Sequence, residues 1–158
     1  SVSRVGGKAQ SKAMRQVAGK LRLDIAQYRE LESFVQFGAE LDKISKDQIV
    51  RGEIMIEILK QQQYAPLSLA KQILIIYAGI NGLLDDIPKN LIKTFETEFL
   101  AYSDKSLRAI ESEINEKKEL SEELKTKMAD AIQIFKDGFL AKVAKHGTNN
   151  KTNKSQNK

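Results

Sequence analysis

The sequence predicts an all-α chain, a bundle of about six to seven helices around one core. Three observations lead there. Apolar residues recur at spacings of three and four through most of the chain, which is the period of one helix face. Ser, Asp, Gly and Pro stand where those stretches begin or end. The 158 residues are 41% apolar and 30% charged, enough for one modest interior and too few for a second large domain.

The first helix is predicted from Lys8 to about Phe37, through Ala13, Val17, Leu21, Ile25, Tyr28 and Leu31, with Gly38 as its stop. Ser45 followed by Gln48 has the spacing of a capping box and predicts the start of a second helix, through Ile54, Ile58 and Leu59 to Gln61. Tyr64-Ala65-Pro66 breaks it, because the residue before Pro avoids helical dihedrals. Ser68 caps a third helix through Ile73, Ile76 and Tyr77, ended by Gly79 and Asn81-Gly82. The run Ile73-Leu74-Ile75-Ile76 by itself fits a buried strand equally well. Asp86 with Pro88 predicts a cap and first-turn Pro for a fourth helix through Ile92, Phe95, Phe99 and Leu100. A fifth segment covers Leu107, Ile110 and Ile114. Ser121, followed by Glu122 and Glu123, opens a sixth through Leu124, Met128, Ile132, Phe135 and Phe139. Residues 1–7 read as extended, and 145–158, rich in Asn, Lys, Thr, Ser and Gln, as a disordered tail.

Little in the composition supports catalysis. There is no Cys and one His, His146, so disulfides, thiolate zinc sites and a catalytic triad lack their ligands or bases, and no metal site is expected. No apolar run approaches the ~18 residues of a membrane span. The net charge of +5 is unevenly placed: residues 1–23 hold six basic residues and no acid, 145–158 hold four Lys and no acid, and the middle is acidic. A basic arm on an acidic helical body is not the continuous basic face of a duplex-binding domain. Gly7-Lys8 fails as a phosphate loop, since Val2 stands where its first Gly belongs and Ala9 follows the Lys. Asp85-Asp86 and Glu122-Glu123 read as helix-start acids rather than a catalytic pair, and Tyr28, Tyr64, Tyr77 and Tyr102 as core or rim residues.

The blocks SVSRVGG, KAMRQVAGKLRLDIAQYREL, FGAELD, ILKQQQYAPL, IYAGINGLLDDIP and FETEFL occur in order over about residues 1–141. Together they resemble the last third of the alpha subunit of the rotary proton-translocating ATP synthase. The resemblance implies that residues 1–10 are the short extended edge of a RecA-like nucleotide-binding domain, 11–142 a C-terminal helical domain and 143–158 a polar tail. It also implies that the chain is a piece of a longer subunit whose phosphate loop precedes it, an expectation that the initial Ser1 fits.

By the same resemblance, Arg4 is the Arg of the S-x-S-R-x-G motif, which reaches the nucleotide phosphates on a neighbouring beta subunit. A guanidinium suits that task because its charge is permanent and its planar fork can hold two phosphate oxygens. Gln61 and Gln63 match the two Gln of K-Q-x-Q-Y, beside the adenine of the alpha subunit's own non-catalytic nucleotide. Residues 37–42 resemble the loop facing the central shaft.

The implied partners are beta subunits in an alternating hexamer and the gamma shaft, with ATP or ADP and magnesium as cofactors of the full-length subunit, and none for this chain alone. The implied place is peripheral to an energy-transducing membrane, on the cytoplasmic side in bacteria or the matrix side in mitochondria, with membrane association only through the complex. No catalysis is expected of the chain alone, and no nucleic-acid partner. Lys8 in place of the usual Ala, and the tail after about Lys142, depart from the family pattern. The other reading of the residues is a free-standing helical interaction or nucleic-acid-binding module that uses its basic arm.

Overall fold

The computed structural model describes residues 11–38, 40–62 and 67–152, without the side chains of 61, 62 and 146–152. The predicted extended edge at 1–10 therefore lies outside the described residues. Those described form six α-helices and no strand: α1 (Lys12–Gln36), α2 (Lys43–Gln62), α3 (Leu69–Ile80), α4 (Ile92–Ser106), α5 (Arg108–Lys117) and α6 (Glu122–Thr152), with one 3-10 turn, Lys89–Leu91, leading into α4.

Helix α3 is the centre. It packs against each of the other five helices, and Ile73, Leu74, Ile75 and Ile76 are all buried. Four consecutive apolar residues point around the whole circumference of a helix, so only a helix enclosed on every side can bury them all. That resolves the helix-or-strand ambiguity of this run. Between α4 and α6, the ring of Phe95 meets Phe139 edge-on at 5.3 Å and stacks on Phe99 at 5.8 Å, while Phe135 stands 5.4 Å from both Phe95 and Phe99. Such aromatic pairs add about 0.5–1.5 kcal/mol each beyond the area they bury.

Two starts follow the sequence: Ser68 accepts from the Lys71 N–H (3.4 Å) and Ser121 from the Leu124 N–H (3.2 Å). Three differ. Helix α1 begins at Lys12 rather than Lys8, with the Ser11 hydroxyl as its cap, accepting from the Met14 N–H at 3.2 Å. Helix α2 begins two residues before Ser45, with Asp42 as its cap: its Oδ1 accepts from the Ser45 N–H at 2.7 Å. Both Asp42 and Ser45 have cap chemistry, and the carboxylate, accepting a charge-assisted bond, takes the earlier position. Asp86 does not cap α4, whose entry turn has Pro88 at its head and no side-chain cap; its carboxylate instead receives Lys136 Nζ of α6 at 3.0 Å.

The end of the chain also differs. Helix α6 continues to Thr152, across the boundary at 142–143 and into the stretch whose composition reads as disordered. Once a helix is nucleated, each added residue gains a backbone hydrogen bond, so it can propagate without apolar burial.

The α5–α6 connection fastens the start of α1. Lys118 adopts a left-handed conformation (φ 53°) and its carbonyl accepts from the Ala13 N–H at 2.7 Å. Gln16 bonds Leu120 twice, accepting from its N–H at 2.9 Å and donating to its carbonyl at 3.3 Å. One of the orphan donors of the α1 first turn is thereby satisfied from a hundred residues away in sequence.

Candidate functional site

Burial along the first two helices has a sharp outward limit. The last buried residue of α1 is Tyr28 and the first of α2 is Gly52, and none of the described residues between them is buried. The two helices therefore continue past the core as a projecting antiparallel hairpin. Its turn is made by local bonds: the Phe37 N–H donates to the Phe34 carbonyl (3.1 Å) and the Gly38 N–H to the Val35 carbonyl (2.9 Å). Gly38 takes a φ of +77°, a region that costs glycine nothing and a side chain dearly.

The tip is apolar where solvent meets it. Phe37 is 86% exposed, Ile44 71% and Phe34 52%. Beside them an open groove of about 620 Å³ is lined by Val35, Glu40, Leu41, Lys46, Ile49 and Val50. Glu40 and Asp42 are exposed, and the Ser45 N–H holds the Asp42 carboxyl below its ordinary range. Exposed large apolar side chains gathered at one projecting corner and rimmed by charge are the chemistry of a docking surface. Phe34 falls out of phase with the α1 stripe that ends at Tyr28, a signal available in the sequence, whereas Ile44 stands two heptads before Ile58 and is in phase with the α2 stripe, so the pattern alone did not mark it as exposed.

The other predicted site residues are placed as follows. Arg4 and Gln63 lie outside the described residues. Gln61 has its backbone in the last turn of α2. At 1.5 Å per residue, the 20 residues of α2 separate that end from the tip by about 30 Å, so Gln61 and the tip lie at opposite ends of this helix.

The acidic pairs serve as ion-pair partners. Asp85 meets Arg51 at 2.7 Å, Asp86 Lys136 at 3.0 Å, Glu122 Lys125 at 2.6 Å and Glu123 Lys127 at 2.8 Å. Gly82 lies against the first of these, since a β-carbon there would stand 2.4 Å from Arg51 Nη2, and its φ of +72° independently favours glycine. Tyr28 is buried and donates to Glu32 at 3.0 Å, Tyr77 donates to the Lys125 carbonyl at 3.3 Å, and Tyr102 packs on Phe135 at 5.0 Å. Tyr64 lies outside the described residues.

Two acids escaped the sequence reading. Glu96 of α4 is 4% exposed, one of its oxygens has no hydrogen-bond partner, and burial pushes its carboxyl up to about 7. Asp24 of α1 has an oxygen hidden from solvent, and burial raises its carboxyl despite the nearby charges of Lys20 and Arg51. Among the described residues no group of His, Cys, Asp and Glu is arranged to hold a metal ion, and no helix is long and apolar enough to cross a membrane.

Residues 10–135 match the family described as ATP synthase alpha/beta chain, C terminal domain. The chain is 55% identical over 140 residues to ATP synthase subunit alpha of Aquifex aeolicus, covering 89% of this chain and 28% of that protein. It is 53% identical over 143 residues to ATP synthase subunit alpha of Clostridium botulinum, covering 90% and 28%. The chain thus spans a little over a quarter of the length of these relatives.

Proposed function

The chain belongs to the ATP synthase alpha/beta chain family, carrying its C-terminal domain with alpha subunits as its relatives, and on that premise we propose that it is the helical base of an alpha subunit in a complex that couples ATP synthesis to proton flow. The observation that carries this reading is the projecting α1–α2 hairpin, whose exposed Phe34, Phe37 and Ile44 offer a docking tip at the far end of α2 from Gln61. In the assembled complex the tip meets the central shaft subunit. The opposite end faces the nucleotides, where Arg4 reaches the phosphates held by a neighbouring beta subunit and Gln61 and Gln63 flank the adenine of the non-catalytic nucleotide. Magnesium enters with that nucleotide through the rest of the full-length subunit, since no group of acids among the described residues is arranged to hold a metal ion. The domain reaches the membrane only through the complex, as a peripheral part of it.

These 158 residues contain no Cys, so a single one can be introduced at the tip. Phe37→Cys in the full-length subunit, labelled with a photoreactive group and assembled into a complex free of other reactive thiols, is expected to crosslink to the shaft subunit. Crosslinking confined to the neighbouring beta subunit would overturn the assignment of the tip.

A further inference from the structure

We propose that Asp24, Gln48 and Arg51, with the exposed Gln27 at its rim, line a binding site for one water molecule, which completes a polar joint between α1 and α2. The four side chains line a small cavity of about 40 Å³. One water needs at least ~10–15 Å³ of such space and two to four polar partners, and the cavity offers both. Into this setting comes Asp24 Oδ2, hidden from solvent and without a hydrogen-bond partner among the described residues. A buried carboxylate oxygen left unmatched costs free energy, so a donor is strongly favoured there.

The pattern that builds the cavity is regular. Asp24 and Gln27 are three apart on α1, and Gln48 and Arg51 three apart on α2, so each pair shares one helix face. Each pair is followed at once by a residue of a close contact between these helices, Tyr28 against Gly52. The donor arithmetic also closes. Arg51 uses Nε and Nη2 on Asp85, at 3.5 and 2.7 Å, and its fork still has further N–H groups to give. An ionised carboxylate only accepts, so a water here donates one proton to Asp24 Oδ2 and the other to a Gln amide oxygen. Its lone pairs accept from a Gln amide nitrogen or from Arg51. The water thereby extends the Arg51–Asp85 pair to α1, and ties the root of the projecting hairpin to the α3–α4 turn that carries Asp85.

The first test is a crystal structure of the chain at a resolution that shows ordered solvent. A water ~3 Å from Asp24 Oδ2 and from at least one of Gln27, Gln48 and Arg51 is expected. An oxygen met directly by the Arg51 or Gln side chain, with the cavity closed and dry, would overturn the site. The second test is amide hydrogen exchange along α1 and α2. Asp24→Leu should expel the water and speed exchange in the hairpin by up to about tenfold, the range of one hydrogen bond, while Asp24→Asn keeps an acceptor and most of the protection. Unchanged exchange in Asp24→Leu would remove the joint even if the water is present. Should Asp24→Leu fail to fold, Gln48→Leu makes the same comparison from the α2 side.

Discussion

Gly52 lies directly against Tyr28: a β-carbon added at Gly52 would stand 2.3 Å from the Tyr28 β-carbon and 2.4 Å from its Cγ. The obstruction is the stem of the tyrosine rather than a mobile end, so any side chain at this position must push the two helices apart. Gly52→Ala is therefore expected to destabilise the chain by about 1–3 kcal/mol, as overpacking a core does. Gly138, on α6, has open space around it. Gly138→Ala should stabilise by about 0.5–1 kcal/mol through helix propensity and chain entropy. Urea midpoints of the two variants check both signs, and equal shifts would refute the contrast.

Glu96 predicts the pH dependence of stability. Its folded carboxyl titrates at about 7 against an ordinary 4.5, because burial disfavours the charged form. Between those values the folded state binds more protons than the unfolded one, so the contribution is complete below about 4.5 and is lost as pH rises through about 7. Glu96→Gln removes the titration. Its stability curve should flatten across that window and exceed the unsubstituted chain at pH 8, as read by thermal melts at matched ionic strength.

Asp42 predicts a change at the other extreme of pH. The Ser45 N–H stabilises its ionised form, so the cap is present above the ordinary carboxylate pKa and is lost as pH falls through the lowered value. Asp42→Ala should speed amide exchange over residues 43–46 at neutral pH, and Asp42→Asn should restore most of the protection. Equal exchange in all three chains would show that the cap does not hold this helix start.

Arg4 separates a transition-state role from an interface role. In the full-length subunit, Arg4→Ala is expected to leave assembly and nucleotide binding largely intact while turnover falls by about 10³–10⁵, the range of an arginine supplied in trans. Arg4→Lys keeps the charge and loses the two-pronged geometry, so it too should be impaired. Near-normal hydrolysis by both assembled complexes would exclude the catalytic role.

The chain alone is expected to bind ATP only weakly, since Gln61 and Gln63 would supply adenine-side contacts without a phosphate loop. Titration calorimetry of the purified chain reads this directly, and micromolar affinity would contradict it.

The sequence by itself determined what depends on neighbours along the chain. The helical period is local, so the stripe Ala13, Val17, Leu21 and Tyr28 announced both α1 and the face it buries. The caps Ser68 and Ser121 were legible because each bonds the N–H three residues on. The family blocks were legible for the same reason, being strings of consecutive residues. Tertiary structure alone decided whatever needed a partner distant in sequence. Ile73-Leu74-Ile75-Ile76 is helical because five other helices enclose it, and Asp86 serves Lys136, fifty residues away, instead of the helix beside it. The exposed tip at Phe37 and the buried carboxylate of Glu96 belong to the same class. Burial is a property of the assembled core, and desolvation follows from what other elements bring to a side chain rather than from the type of the side chain itself.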